Sequence, residues 1–320
     1  AAIVTGGAVA IATWFVTRSL HVDVTRSERV LLVGGVAAAC SQTTRHAVGW
    51  VAERLGVRGR LADTLNDIAH SDVLFPLLAV AFLFALGGTR GTVVRIPLVD
   101  GPLITISLGL GLGAGAALLL RSEMPVEDTW AMLFGPALLV IGIAARLGLS
   151  TLTASFFMGL ALSVLSRHGP ELRAMVGPTE RPVLLPALLL AGARLDFRST
   201  SSWPWIAAAA IAARVGATML VGWVIAAGSR SARAAGPLVG LSLMSSGALS
   251  MCIGMAFALR FPGIVGDTVL VVTVLSATVG EFVGPARLRQ SLHLAGEIED
   301  TAAPTSSTLP TSPASKRARA

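Results

Sequence analysis

The sequence contains no tyrosine, only two cysteines and five histidines, and few charged residues of either sign. Charged side chains make up 13% of the chain, well below the share of about 25% in a soluble domain, which argues against a soluble fold. Cys40 and Cys252 both lie in apolar runs, and no spacing of Cys, His or acidic residues fits a metal centre or a disulfide framework. A glycine-rich phosphate loop and a nucleophile with a nearby base are also lacking, so we expect no enzyme and no bound cofactor.

What dominates instead is apolar sequence. Hydrophobic residues make up 53% of the chain, the mean hydropathy is +0.74, and glycine and alanine are abundant. The apolar runs are long and continuous rather than alternating, which predicts membrane-spanning helices and not an outer-membrane barrel. We therefore expect an all-α, multi-pass protein embedded in the lipid bilayer. Ten apolar segments are predicted: Ile3–Val16, Val30–Thr43, Asp63–Leu86, Pro102–Leu120, Trp130–Ala145, Leu149–Leu165, Val183–Ala193, Trp205–Ala227, Gly236–Leu259 and Asp267–Val283.

The positive charge follows the topology of the chain. The net charge is +7 and the pI about 11.2, but the arginines lie in the short gaps between apolar segments, so nucleic-acid binding is not indicated. One side of the predicted membrane carries more arginines than the other, which places the C-terminus in the cytoplasm. Residues 297–320 are rich in Pro, Ser and Thr and end in basic residues, a composition typical of a disordered tail.

The third segment, Asp63–Leu86, carries an acidic residue at unusual depth. The segment is long enough to cross a bilayer core of about 30 Å, and Asp72 lies roughly halfway along it. A carboxylate at that depth is costly and usually faces a partner, a cavity or an ion. The alternative is that the helix starts near His70 and that Asp72 is only its wet end.

A second deep charge is Arg214, in the middle of the segment Trp205–Ala227. It is too far from either end for easy snorkelling to the interface, so it needs a buried carboxylate or a set of carbonyls. Asp72 and Glu281 are the acids available within predicted helices. The alternative is that Arg214 only caps the carbonyls of a broken helix.

Two apolar segments are interrupted by small polar residues near their middle. The second reads GGVAAACSQTTRHAVG and the ninth GLSLMSSGALSMCIGM. Such positions tolerate a local break, and the half-helix ends then offer amides to anions and carbonyls to cations. Serines in membrane helices also mediate packing, which is the alternative reading of both segments.

The interrupted segments fall into a weak internal repeat with an offset of about 204 residues. SERVLL at 27–32 aligns with SARAAG at 231–236, CSQ at 40–42 with MSS at 244–246, and DTL at 63–65 with DTV at 267–269. Seven predicted crossings separate the two copies, so they point in opposite directions. Inverted repeats are the architecture of secondary transporters, which hold their site at the repeat interface near the midplane.

These passages together resemble the monovalent cation:proton antiporter family, the bacterial sodium/hydrogen exchanger-like membrane proteins. The resemblance is carried by LSLMSSGALSMCIGMAFALRFPGIVGDTVL with EFVGPARLRQSLHLAGE, by LLPALLLAGARLDFRS before the Arg214 segment, and by CSQTTRHAVGWVAERLGVRGRLADTL before the Asp72 segment. The order and spacing of these passages, over nearly the whole chain except its tail, make the resemblance specific. It implies an inverted-repeat sodium/proton antiporter-like fold with two crossing broken helices.

The resemblance also implies how the chain is divided and where it acts. Residues 1–86 would hold the first-repeat core helices, 87–200 the linking and dimer-domain helices, 201–296 the second-repeat core helices, and 297–320 the tail. Relative to a family fold of about twelve helices, ten segments imply a chain short by two N-terminal helices. A homodimer in the bacterial inner membrane, with a monovalent cation and a proton as partners, is the expectation.

Matching residue by residue, the resemblance implies a site. Asp72 would be the ion-binding carboxylate and metal ligand, assisted by oxygens at the two breaks, and Arg214 and Glu281 would balance charge. The implied ion-binding set is Asp72, Ser71, Ser41, Gln42, Thr43, Ser245 and Ser246.

One departure bears on this assignment. The family has Asp-Asp, Asn-Asp or Gln-Asp at the ion site, and this chain has Ser71-Asp72-Val73. A match shifted by one residue would put Asp72 at the first position of the pair and Val73 at the essential one. No lysine follows Arg214, which favours electroneutral exchange.

The expected function is therefore secondary active exchange of Na⁺ or K⁺ for H⁺ by alternating access. Two alternatives remain open: a sodium-coupled carrier of an organic anion with the same fold, and a degenerate membrane protein that does not transport.

Overall fold

The computed structural model describes residues 1–43, 49, 57, 59–88, 97–120, 126–166, 169–198, 201–228 and 230–298. Within these residues the chain is helical, without strands. Thirteen α-helices are described. They are α1 (Ala2–Ser19), α2 (Arg26–Ser41), α3 (Arg60–Ser71), α4 (Leu74–Leu86), α5 (Asp100–Leu119), α6 (Val126–Leu147), α7 (Thr151–Leu165), α8 (Gly169–Val176), α9 (Glu180–Ala193), α10 (Trp203–Gly228), α11 (Arg230–Ala235), α12 (Gly247–Arg260) and α13 (Ile264–Leu294). A 3₁₀ segment, Gly236–Leu243, precedes α12, and a 3₁₀ turn, Gly177–Thr179, precedes α9.

Six helical stretches are long and apolar enough to cross a membrane, which indicates a membrane protein. They are Ala2–Ser19, Arg60–Leu86, Asp100–Leu119, Thr129–Leu147, Trp203–Gly228 and Ile264–Leu294. The 3₁₀ segment and α12 form a seventh candidate, bent by 53° at its break. All ten predicted segments coincide with helices, but α2, α7 and α9 do not meet the length and hydropathy of a full crossing.

The packing divides the helices into two groups. The first contains α1, α2, α4, α10, α12 and α13, which bury a shared apolar core around Leu32, Val36, Phe257 and Val269. The rings of Phe84 and Phe257 meet edge to face at 5.3 Å inside it. The second group is α5, α6 and α7, with a small core of its own, and α4 contacts both groups. The helices of the two predicted repeats thus pack together around one core, beside a separate set of linking helices.

The Asp72 stretch is a single span with a joint in its middle. Helix α3 begins at Arg60, and α4 begins at Leu74 after a two-residue turn. The two together form a candidate span of 27 residues. The alternative, in which the helix starts near His70, is therefore wrong, because a helix of 12 residues that begins at Arg60 precedes Asp72.

Helix α10 approaches the 3₁₀ segment so closely that two glycines are required. A methyl group at Gly222 would overlap the carbonyl oxygen of Pro237 and the backbone of Gly240. A methyl group at Gly240 would in turn overlap the Thr218 carbonyl. Small residues that let backbones touch are the usual device for packing helices in lipid, where no hydrophobic force drives them together.

This contact predicts that Gly222→Ala destabilises the fold, because the three atoms of Pro237 and Gly240 that the methyl group would meet all belong to the backbone and cannot turn aside. We expect a lower thermal midpoint in detergent, corresponding to a loss of at least about 1 kcal/mol. Gly216→Ala is the matched control, since it lies on the same helix and its added methyl group would meet nothing within 4 Å. Equal midpoints for the two variants would contradict the close approach.

Candidate functional site

The centre of the first helix group is the guanidinium of Arg214, which is only 1% exposed. Its Nη1 donates to the hydroxyl of Ser246, at the break before α12, and to that of Ser276 on α13 at 3.1 Å. Its Nη2 donates to the backbone carbonyl of Gln42, just past the end of α2, at 2.9 Å. One side chain on α10 therefore joins the end of α2, the break before α12, and α13.

Arg214 differs from the sequence-based expectation in its partners. Its hydrogen bonds go to hydroxyls and a carbonyl, whereas a buried carboxylate was the first candidate. Asp72 bonds elsewhere, and Glu281 is close enough to act on Arg214 through its charge but bonds to other groups. The alternative, in which Arg214 caps a carbonyl freed by a broken helix, describes its bond to Gln42.

Glu281 is placed at the second break. Its carboxylate accepts a hydrogen bond from the Ser245 hydroxyl and a longer one, 3.3 Å, from the backbone N–H of Gly247, the first residue of α12. A carboxylate at a helix N-terminus satisfies an unpaired amide and opposes the positive end of the helix dipole. The serines of the second break thus lie between a cation, Arg214, and an anion, Glu281.

The first break is built from Ser41, Gln42 and Thr43, all of them buried. Helix α2 ends at Ser41, whose hydroxyl bonds back to the Ala38 carbonyl, and Gln42 is extended with ψ near 139°. The backbone carbonyl of Gln42 accepts from Arg214. Its side-chain oxygen Oε1 is buried and has no hydrogen-bond partner among the described residues. Residues 44–48, which completed the predicted interrupted segment, lie outside the described residues.

The two breaks are in direct contact. The hydroxyl of Ser250, one turn into α12, donates to the Ala39 carbonyl near the end of α2 at 2.6 Å. The Cys40 side chain lies beside the hydroxyl of Ser276, which itself accepts from Arg214. Polar groups of α2, α10, α12 and α13 therefore form one buried cluster in an otherwise apolar core.

Asp72 lies at the joint between α3 and α4 and is 5% exposed. Its Oδ1 accepts a hydrogen bond of 2.8 Å from the Ala2 backbone, and the Ala1 nitrogen lies 3.2 Å away. Its Oδ2 is buried and has no hydrogen-bond partner. Gly6, one turn further along α1, is close to both Phe75 and Ser41, so the Asp72 joint and the end of α2 pack on the same stretch of α1.

Two residues beside Asp72 are exposed. The hydroxyl of Ser71 donates to the Asp67 carbonyl of its own helix, so Ser71 lies apart from the buried members of the implied ion-binding set. His70 is also exposed, and its ring bonds to the Asn66 carbonyl at 2.9 Å.

A cavity of about 780 Å³ opens between the first helix group and the linking helices. Gln42 and Thr43 of the first break line it, together with His70 and Val73 at the joint and Arg173 on α8. Asp72 does not line this cavity; its carboxylate faces α1 instead. At the joint it is therefore Val73, not Asp72, that faces this cavity.

The chemistry of this cluster suits a hard cation only in part. No group of three or more His, Cys, Asp or Glu side chains that could hold a metal ion occurs in the described part of the chain. An ion at Asp72 would therefore need carbonyl and hydroxyl oxygens to complete its shell, which hard cations accept.

Sequence reasoning missed Ser276, Ser250 and Cys40, which complete the cluster. One signal was available for Ser276, because it follows Asp72 by the repeat offset of 204 residues. The serine of the second repeat thus occupies the position that the carboxylate holds in the first.

Comparison with known proteins adds nothing to this geometry: no family model matches the chain, and no curated protein matches it with significant similarity.

The cluster predicts that Arg214→Ala lowers the amount of folded protein. The change leaves the Gln42 carbonyl and two serine hydroxyls without their donor in a buried site, at a cost of at least about 3 kcal/mol. The measurement is the yield of monodisperse protein and its thermal midpoint in detergent. Arg18→Ala, at an exposed position in the last turn of α1, is the control. Normal folding of the Arg214 variant with only a changed cation affinity would make Arg214 a ligand-site residue instead.

Proposed function

We propose that the protein is a secondary active transporter that exchanges a monovalent cation, Na⁺ or K⁺, for H⁺. In this proposal it acts as a homodimer in a bacterial inner membrane, with the C-terminus in the cytoplasm. The observation that carries the proposal is the carboxylate of Asp72, buried near the middle of a 27-residue span with one oxygen unpaired. Burying an acid near the middle of a membrane is costly, and alternate binding of an ion and a proton would explain why this one is present.

The cation needs more oxygens than one carboxylate supplies. The nearest supply is the end of α2, where Ser41 packs on the same stretch of α1 as the Asp72 joint. Gln42 carries the buried, unpaired side-chain oxygen described above, and Thr43 adds a hydroxyl. A small movement of α3 and α4 against α2 would bring these oxygens and the carboxylate to one ion.

Arg214 is not a ligand for the cation in this proposal. A like charge repels a cation, and all three hydrogen bonds of the guanidinium already go to protein groups. Its role is to stabilise both breaks near the middle of the membrane, so that the oxygens there are not used in the hydrogen bonds of continuous helices. Glu281 balances its charge from the other side of the second break.

Alternating access would come from movement of the first helix group against the linking helices. The cavity of about 780 Å³ lies on the boundary between them, bounded by α7 on one side and by α12 and the first break on the other. An apolar cavity of about 490 Å³ lies along the same boundary, between α9, α7 and α12. Loosely packed boundaries of this kind permit one unit to slide or rock against another.

The cation and the proton would compete for Asp72. The protonated acid has no charge to offer a cation, so the apparent cation affinity falls as the pH falls. Coupled exchange follows when the site changes its side of access only while it holds one of the two ions, because the empty site then cannot return alone.

The decisive variant is Asp72→Asn, which keeps the size of the side chain but removes its charge. We expect a folded, inserted protein with no cation-stimulated proton movement, because neither ion then has a site. Asp67→Asn is the matched control: it lies on the same helix, five residues earlier and exposed, and should keep most of the activity. The measurement is cation-dependent dissipation of a pH gradient in vesicles that contain equal amounts of each protein.

Full activity of Asp72→Asn would show that Asp72 is not the ion-binding carboxylate. Absence of activity in the unmodified protein, under conditions where it is folded and inserted, would favour the non-transporting alternative. Val73 supports that alternative. It faces the cavity at the position where the shifted match to the antiporter family would place the essential acid.

A second function is favoured by the charge of the cavity: a sodium-coupled carrier of an organic anion. Among the described side chains that line the cavity, the ionisable groups are Arg173, His70 and Cys252, and no carboxylate is present. A cavity with basic side chains and several hydroxyls suits an anionic substrate better than a cation. In this alternative Asp72 binds the coupling ion, and Arg173 attracts the substrate.

Sodium-dependent uptake of labelled succinate into vesicles separates the two functions. For the carrier we expect uptake by the unmodified protein, and at least about tenfold weaker apparent affinity in Arg173→Gln, because an exposed cationic anchor is lost. Arg233→Gln, an exposed arginine outside the cavity, should be unchanged. No succinate uptake alongside normal proton exchange would leave cation exchange as the function.

A further inference from the structure

The end of the described chain is attached to the helix that leads to Asp72. The carboxylate of Glu297 accepts two backbone hydrogen bonds from the first turn of α3. Oε1 accepts from the Leu61 N–H at 2.7 Å and Oε2 from the Ala62 N–H at 3.0 Å. These residues are 236 and 235 positions apart in the sequence, so the contact is a tertiary one.

The contact has the features of a specific binding site for the Glu297 carboxylate. The first amides of a helix have no partner within it, and the positive end of the helix dipole favours an anion there. Gly59 makes room for it, because a methyl group at that position would overlap the Glu297 side chain. The neighbouring Ala295 and Ile298 pack on the apolar cluster that contains Leu61 and Leu65.

This attachment acts on the same rigid element as the candidate ion site. Helix α3 runs without interruption from Arg60 to Ser71, and Asp72 follows it directly. A helix of this length transmits a displacement of its first turn to its last, because its backbone hydrogen bonds hold it as one body. The position of Glu297 therefore sets how deeply Asp72 is held against α1 and the end of α2.

We propose that residues 295–298 form a latch on α3, held by the hydrogen bonds of the Glu297 carboxylate, and that release of this latch regulates ion binding at Asp72. The regulatory step rests on the proposed function, whereas the contact itself does not. The latch is suited to regulation by its place: Glu297 is partly exposed and is the first residue of the predicted tail, 297–320.

The test uses two variants that open the latch from opposite sides. Glu297→Gln removes the charge that the amides bind. Gly59→Ala keeps the charge but fills its binding site; the backbone at Gly59 is extended, with φ near −172°, so alanine is tolerated there. Glu299→Gln is the matched control, because it removes the same charge two residues later.

The first readout is hydrogen exchange of a peptide covering residues 60–72 in the full chain, reconstituted in lipid nanodiscs. We expect the amides of Leu61 and Ala62 to exchange about tenfold faster in both latch variants and at the native rate in Glu299→Gln. The double variant should be no faster than either single one, because the two changes open the same contact. Native exchange rates in Glu297→Gln would overturn the latch.

The second readout is the cation concentration that half-saturates proton exchange in vesicles. We expect it to rise at least about threefold in both latch variants, with an unchanged thermal midpoint, because Asp72 is no longer held in place. Faster amide exchange without this shift would overturn the regulatory role and leave only a structural contact. If the unmodified protein exchanges no cation at all, the proposed function and the regulatory step fail together, while the amide measurement still decides the contact.

Discussion

The structure depends first on the burial of one arginine. A guanidinium inside an apolar core needs acceptors for its donors. Both Nη atoms of Arg214 find them in a carbonyl and two hydroxyls rather than in a carboxylate, while Nε has no partner among the described residues. The acceptors come from the end of α2, from the break before α12 and from α13. These helix ends and the arginine therefore require each other. If α2 continued past Ser41, a backbone amide of the same helix would bond the Gln42 carbonyl. Without Arg214, buried polar groups at both places would lack a hydrogen-bond partner.

The internal repeat explains why this cluster has two unlike ends. The breaks lie one repeat offset apart, and Ser276 occupies in the second copy the position of Asp72 in the first. In the second copy that position holds a neutral hydroxyl, which accepts from Arg214. In the first copy it holds a carboxylate, which lies away from Arg214 and keeps one oxygen unpaired. In the proposed function these two equivalent positions differ in role: Ser276 accepts a hydrogen bond from the buried Arg214, and Asp72 would bind the transported ion.

The sequence predicted those features that one stretch of chain determines. Apolar runs located the helices, the length of its segment placed Asp72 near the middle of a helical stretch, and small polar residues within an apolar run marked the break before α12. The interruption of the second segment stays a prediction, because residues 44–48 lie outside the described residues. It could not predict contacts between residues far apart in the chain, such as Arg214 with Gln42 or Glu297 with Leu61. Successive helical residues point about 100° apart, so the sequence also left open which of Ser71, Asp72 and Val73 turns inward. Tertiary packing decided this: Ser71 is exposed, Asp72 faces α1, and Val73 faces the cavity.

The central claim is that one carboxylate, Asp72, binds either a cation or a proton. Calorimetric titration of the purified protein with Na⁺ and with K⁺, repeated in two buffers of different ionisation enthalpy, counts the protons released as the cation binds. Shared occupancy of a single acid predicts up to about one proton released for each cation bound, approaching one as the pH falls, and no binding in Asp72→Asn. Cation binding that releases no proton at any pH where it is measurable, or that persists in Asp72→Asn, would contradict the claim.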